Sequence, residues 1–280
     1  MDDPVKQPAL SNSTVRLLSA MTLIPIVLLG ARIGGVVWLA LLLVLAVVGG
    51  IEFYLLASGR WSQGSALTGI PMIVLISLAF YVQEPLLVPL IYVLGSVVTL
   101  IVEIVRHPND LRQSIWQVIT TLAGVTYVGI PVGCLVALRG EDDGFLWLMV
   151  LFAATWGTDT FAYFGGRAFG KHKLSPKLSP NKTIEGAVIG VIGGIIPAML
   201  FLAYGDKLNL TTFIMIAIAP FIAIAGDLFE SALKRFFKVK DSHVAGLNII
   251  PGHGGVLDRV DALLMVTVFF YVYLTLTASF

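Results

Sequence analysis

Two polar stretches interrupt an otherwise apolar chain, and both are rich in side chains that handle phosphate and cations. The first, WGTDTFAYFGGRAFGKHKLSPKLSPNKTIEG at 156–186, sets Asp159 inside an apolar run and follows it with Arg167, Lys171, Lys173, Lys177 and Lys182. A carboxylate in hydrocarbon is costly enough that it lines a polar cavity or meets a partner. Helical spacing puts Tyr163 on the same face as Asp159, with Gly166 near the next turn. The second stretch, GDLFESALKRFFKVKDSHVAGLNIIPGHGGVLDRVD, occupies 226–261. If its first part is helical, Asp227, Glu230, Ser231 and Lys234 fall at i, i+3, i+4 and i+7 on one face, and Asp258 and Asp261 share a face of the helix that follows. Four carboxylates then lie at the mouths of two sequence-adjacent helices, whose connector of about 27 residues lets them pack antiparallel.

Carboxylates that close repel one another unless neutralised. Ion pairs with Lys234, Arg235 and Arg259 are one solution. A hard cation such as magnesium is the other, since it takes oxygen ligands and keeps substrate phosphates in its shell. Asp227 and Asp258 are the ligand candidates, each read as the member of its pair nearer the membrane, where a bound cation is most useful. His107, His172, His243 and His253 are scattered and make no zinc set. In SPKLSPNKTIEG, two Ser-Pro pairs lead into a helix start that Asn181 or Thr183 would cap, with Glu185 in its first turn. Such an end beside Lys182 suits a phosphate, although a basic loop resting on anionic lipid heads needs only the charges. PGHGG at 251–255 forms a bend where backbone N–H groups approach a ligand closely and His253 comes beside Asp258 and Arg259; a plain interhelical turn is the other reading.

These groups need a scaffold, and the composition says which kind. Of 280 residues, 57% are apolar and 12% charged, against about 25% charged in a typical soluble domain. The chain is therefore expected to be an all-α integral membrane protein, because apolar runs without period-2 alternation exclude a transmembrane barrel. Nine segments approach the roughly 20 residues that span hydrocarbon, near 16–32, 35–57, 67–83, 86–104, 115–138, 145–165, 184–204, 210–229 and 257–278. Fusing the third and fourth across YVQEP would leave eight. The first is read as a retained span rather than a cleaved leader. Pro25, Pro71, Pro89, Pro131, Pro197 and Pro220 fall in or near spans, as sites of kinking or termination. The lone Cys134 excludes an intrachain disulfide and reads as a buried thiol.

Net charge is only +1, but the charges are sorted. With nine spans and a cytoplasmic N-terminus, fifteen of the 18 basic residues fall on the cytoplasmic side, leaving Arg32, Arg139 and Lys207 opposite, beside Glu141, Asp142 and Asp143. This is the positive-inside pattern, and it puts the C-terminus on the far side. The chain divides into an N-terminal transmembrane region, 1–145, suited to packing or dimerisation, and a catalytic region, 146–280, with cytoplasmic segments near 166–183 and 230–256. Acidic groups for a divalent ion, basic groups for phosphates and a membrane location together suggest transfer between a polyphosphate and a lipid.

SALKRFFKVKD followed by PGHGGVLDRVD resembles the signature of the phosphatidate cytidylyltransferase, or CDP-diacylglycerol synthase, family. Ser231, Lys234, Arg235, Lys240, Asp241, His253, Gly254, Gly255, Asp258, Arg259 and Asp261 match it one by one. The family's other cytoplasmic block is similar to Asp159, Tyr163, Gly166, Arg167, Lys171, Ser179, Pro180, Lys182, Thr183, Glu185 and Gly186. The likeness covers about 156–270. It departs at SHVAGLNII, which is longer than the family's connector, and at Asn181, where the family often has Lys. It implies CTP and phosphatidate as substrates, CDP-diacylglycerol and pyrophosphate as products, magnesium near Asp227 and Asp258, potassium as a possible second cation, and a homodimer in the cell inner membrane with its site facing the cytoplasm. No nucleic-acid partner is implied. Phosphate contacts would come from Lys182, Lys234, Arg235 and Arg259, with His253 and Asp261 organising the mouth.

Competing classes are an ion-coupled transporter of an anionic solute, using Asp159, Asp227 and Asp258 as an intramembrane path, another lipid-linked nucleotidyl or phosphosugar transferase, and a structural scaffold. The transporter would need polar residues in several early spans, yet the first half offers mainly Glu52 and Glu103. The odd span count also argues against an inverted repeat.

Overall fold

A computed structural model describes residues 12–58, 63–239 and 255–277. Its helices are α1 (Asn12–Ile33), α2 (Gly35–Ser58), α3 (Gln63–Tyr81), α4 (Leu87–Arg106), α5 (Leu111–Gly124), α6 (Ile130–Gly140), α7 (Gly144–Phe169), α8 (Ile184–Tyr204), α9 (Leu210–Phe236) and α10 (Leu257–Thr277). A π turn, Val125–Gly129, joins α5 to α6. Seven rods among the described residues are long and apolar enough to cross a membrane, with α5 through α6 acting as one rod, Leu111–Gly140; Met21–Ile33 and Ala66–Tyr81 are shorter apolar helices. The protein is thus an all-helical multi-pass membrane protein. The third and fourth expected spans stay separate, parted by a turn at 82–86 with Gln83 at φ 60°.

Helix α4 displays the solvent for which this surface is made. Its buried residues are Thr99 and Glu103, while Val93, Leu94, Val97, Val98, Ile101 and Val105 point outward. In water that helix would be inside out; against lipid it is correctly oriented, because hydrocarbon does not drive apolar side chains inward. Inside, Thr99 bonds Thr68 across to α3 at 2.9 Å, and Glu103 faces His107 at 3.3 Å.

Pro131 explains the π turn. Proline has no N–H to continue the ladder, and just before it the Ile130 N–H bonds Val125 O, widening one turn. Pro25, Pro71, Pro197 and Pro220 lie inside helices without ending them. Between α1 and α2, Gly34 adopts φ +72° and lies against the Arg139 guanidinium, where a Cβ would come within 2.6 Å of Cζ. Arg139 donates to Ala31 O at 2.5 Å and to Arg32 O at 3.2 Å, and Lys207 pairs with Asp143 at 3.1 Å. The three basic residues expected opposite the main charge cluster therefore gather at one end of the bundle.

The segment between α7 and α8 departs from a purely helical plan. Residues expected as a loop form an antiparallel hairpin, β1 (Lys173–Ser175) and β2 (Ser179–Thr183), pairing Lys173 with Thr183 and Ser175 with Ser179. Pro180 is tolerated because each strand of a two-stranded sheet is an edge. A single core joins both halves of the chain, with Tyr54, Ile73, Leu135, Trp147, Met215 and Phe270 among its fully buried members. Cys134 is buried within it.

Candidate active site

Helices α7 and α8 meet backbone to backbone because glycines line their seam. A Cβ on Gly186 would lie 2.7 Å from Ala162 O, and one on Gly190 would lie 2.8 Å from Thr158 O. This close approach carries the hairpin and its lysine to the end of α7. Thr183 caps α8, its hydroxyl accepting from Gly186 N at 3.2 Å, so it rather than Asn181 fills the expected role. Glu185 in the first turn accepts from Lys171 N at 3.0 Å and from His172 N at 3.2 Å, and its Oε1 meets His172 Nδ1 at 2.6 Å. The Glu185 carboxylate therefore ties the hairpin to α8.

From that hairpin Lys182 reaches across to α9 and pairs with Asp227. Asp159 on α7 and Asp261 on α10 lie within electrostatic reach of Asp227 and Lys182. A second knot lies beside the first. Lys234 Nζ is 2.5 Å from Glu230 and 2.8 Å from Asp258, joining α9 to α10. The two helices approach closely there, since a Cβ on Gly226 would sit 3.2 Å from the Ala262 Cα. Five acidic residues thus share one end of the bundle with Lys182 and Lys234. Arg167, Lys171, Arg235 and Arg259 are exposed around them, and Ser179 and Ser231 are half-buried. Tyr163 is 60% exposed and turns outward.

One expectation needs correction. Asp227 does precede Glu230 toward the membrane, but α10 opens at Leu257, so Asp258 sits in its first turn and Asp261 lies a turn deeper. Asp258 guards the mouth. The helix entrance is also already supplied with carboxylates: Gly255 N donates to Asp258 Oδ2 at 3.2 Å, while Val256 N and Leu257 N donate to Glu52 Oε1 and Oε2, each at 2.8 Å. The Gly255, Val256 and Leu257 N–H groups are thus engaged internally, while the rest of the PGHGG bend lies outside the described residues. Lys240, Asp241, His253 and Gly254 lie outside the described residues.

The main part missed from sequence is the contribution of the first half of the chain. Glu52 is 4% exposed inside an apolar helix, and its cost signalled that a partner must exist without saying which. Tyr127, on the π turn, is buried with no hydrogen bond to its hydroxyl. Its ring packs on Phe53 and Phe229, and its acidic neighbours are Glu230, Asp261, Asp258 and Asp227.

Among the described residues no three His, Cys, Asp or Glu side chains form a ready-made metal cage. The donor set still fits magnesium, which is typically held by one or two carboxylates with substrate phosphates completing the shell. All the donors are oxygens, acids outnumber lysines, and no hydrogen bond reaches the buried Glu230 Oε1.

Several known proteins align with part of this chain, each named phosphatidate cytidylyltransferase. The one from Staphylococcus haemolyticus is 42% identical over 158 residues, 55% of this chain and 58% of its own length. That from Haemophilus influenzae is 45% identical over 134 residues, 45% of each, and that from Bacillus subtilis 39% identical over 160 residues, 56% of this chain and 57% of the relative. The chain thus spans about half the length of the curated relatives it matches. Across residues 14–277 it matches the model of the cytidylyltransferase family, and with the site just described inside that span, the chain belongs to this family.

Proposed function

We propose that this protein transfers a cytidylyl group from CTP to phosphatidate, giving CDP-diacylglycerol and pyrophosphate. The observation that carries this reading is the paired arrangement of Lys182 with Asp227 and Lys234 with Asp258 at one end of α9 and α10. It supplies charges of both signs for two phosphorylated substrates beside a lipid-facing surface. In the reaction a phosphate oxygen of phosphatidate forms a bond to the α phosphorus of CTP, and the bond from that phosphorus to the oxygen bridging to the β phosphorus breaks. Pyrophosphate leaves with the bonding pair. A phosphate monoester is already largely dianionic near pH 7, its second pKa being about 6, so no strong base is required of the protein.

What the residues must do is bring two mutually repelling anions into line and neutralise their oxygens. Lys182 and Lys234 reach the substrates' phosphates, exchanging carboxylate partners for phosphate oxygens. Arg235 and Arg259, exposed at the end of α9 and the start of α10, receive the outgoing pyrophosphate. Asp261 holds the deeper end of the mouth, and Glu185 keeps the hairpin that bears Lys182 in place. Asp227 and Asp258 would hold magnesium, which when bound draws charge from the nucleotide's phosphates. The reading extends to potassium as a second cation and to a homodimer, whose mass in lipid nanodiscs is directly measurable. It also places the site at the cytoplasmic face of the cell inner membrane, as the sorted basic residues support.

The test supplies purified protein with each labelled nucleoside triphosphate, with and without phosphatidate and magnesium, and separates the lipid fraction. A nucleotide-linked lipid is expected with CTP and phosphatidate together, and Asp258→Asn is expected to lose it while the protein remains folded. Uptake of a solute into vesicles without covalent turnover would instead favour a transporter.

A further inference from the structure

We infer that Glu52, on α2 in the first half of the chain, is a positioning residue for the reaction: it fixes the entrance of α10 and thereby the carboxylate of Asp258. This rests on the cytidylyl-transfer reading for its kinetic consequence, though not for its geometry. The Glu52 carboxylate accepts from two successive backbone N–H groups, Val256 and Leu257, one on each oxygen at 2.8 Å. A helix begins with N–H groups that lack intrahelical acceptors, and the helix dipole also favours a negative charge at this end. The acceptor here comes from 204 and 205 residues away in sequence, so it locks two distant parts of the fold together rather than one loop to itself.

The lock is dry and tightly packed. Glu52 is 4% exposed, Val256 8% and Leu257 2%, and one turn before Glu52, Gly49 lies so near Leu257 that a Cβ would be 3.1 Å from its Cδ2. Asp258 is the next residue along. Its Oδ1 is held by Lys234 and its Oδ2 by the Gly255 N–H, so its position depends on how the 255–257 backbone is seated. With that backbone pinned by Glu52, the carboxylate meets Lys234 and the substrates from a fixed base. Outer-shell groups of this kind change activity or metal affinity by about 10- to 100-fold when removed.

The experiment compares the full-length wild type with Glu52→Leu and Glu52→Gln in nanodiscs. Leucine retains an apolar helix while removing both acceptors; glutamine keeps one carbonyl. Hydrogen–deuterium exchange should rise in E52L at 255–262 and stay unchanged in α4, α7 and α8. Turnover should fall by about 10- to 100-fold, with the half-saturating magnesium concentration raised and KM for CTP changed much less; E52Q should be intermediate in exchange and in rate. Wild-type exchange and turnover in E52L would overturn the inference, as would exchange rising throughout the protein in step with lost activity. If the wild type transfers no nucleotide, the reaction assignment fails, and manganese affinity of the two proteins, read by electron paramagnetic resonance, decides the positioning role: weaker binding in E52L supports it and equal binding refutes it.

Discussion

Lys234 serves two carboxylates at once, 2.5 Å from Glu230 and 2.8 Å from Asp258, with Glu230 only 4% and Asp258 13% exposed. Coulomb attraction at such distances is strong in a poorly solvated site, but each ion has also lost water, and the two effects largely cancel. Removing one partner leaves the desolvation uncompensated. Lys234→Met should therefore cost about 3–5 kcal/mol of stability, measured by chemical denaturation in mixed micelles. Adding Glu230→Gln should recover much of that loss, since one stranded charge disappears, yet the proposed transfer activity should stay absent, because the ammonium group assigned to the substrate phosphates is still missing. A double variant restored in both respects would show that Lys234 serves only to hold the helices. The spacing of Asp227, Glu230, Ser231 and Lys234 was legible in sequence because helical periodicity places them on one face. The pairing of Lys182 with Asp227 was not, since they are 45 positions apart with the whole of α8 between them.

At the scale of elements, the site depends on how closely α7 and α8 approach. Gly190 has no room for a side chain: a Cβ would stand 2.8 Å from both the Thr158 carbonyl oxygen and the Ala162 Cβ. Backbone cannot yield as a flexible side chain would, so Gly190→Val should separate the helices, cost about 1–3 kcal/mol and withdraw the hairpin that presents Lys182 to Asp227. Activity should fall more than the thermal midpoint implies, and both are read on the same nanodisc preparation. Unchanged activity with an unchanged midpoint would place the seam elsewhere. Helix positions were readable from hydropathy, which is why the separate third and fourth helices and the long α9 matched expectation. Hairpin and π turn were not, because Ser-Pro pairs mark turns without fixing a strand register, and one widened turn leaves the apolar pattern of Leu111–Gly140 intact. Glu52 and Tyr127 escaped for a related reason: their partners are set by packing between the two halves, which no local pattern encodes.

Across the whole molecule, charge is divided between two ends. Arg32, Arg139 and Lys207 gather with Asp143 at one, Arg32 lying 5.4 Å over the Phe145 ring and Lys207 5.8 Å over Trp147. Lys182, Lys234 and the carboxylates of α7, α9 and α10 occupy the other. Translocating a basic loop is opposed during insertion, so the end bearing 166–183 should remain cytoplasmic and the 141–143 turn should cross. The buried Cys134 gives a quiet background for testing this, being 2% exposed and shielded from a polar reagent. Single cysteines at the exposed Asp142 and Lys177 then report opposite faces. In right-side-out membrane vesicles, Asp142→Cys should react with an impermeant maleimide at once, and Lys177→Cys only after the membrane is opened. The reverse order would invert the bundle and place the carboxylates away from the cytosol; labelling of both from one side would mean an even number of crossings between them, contrary to the single rod α7.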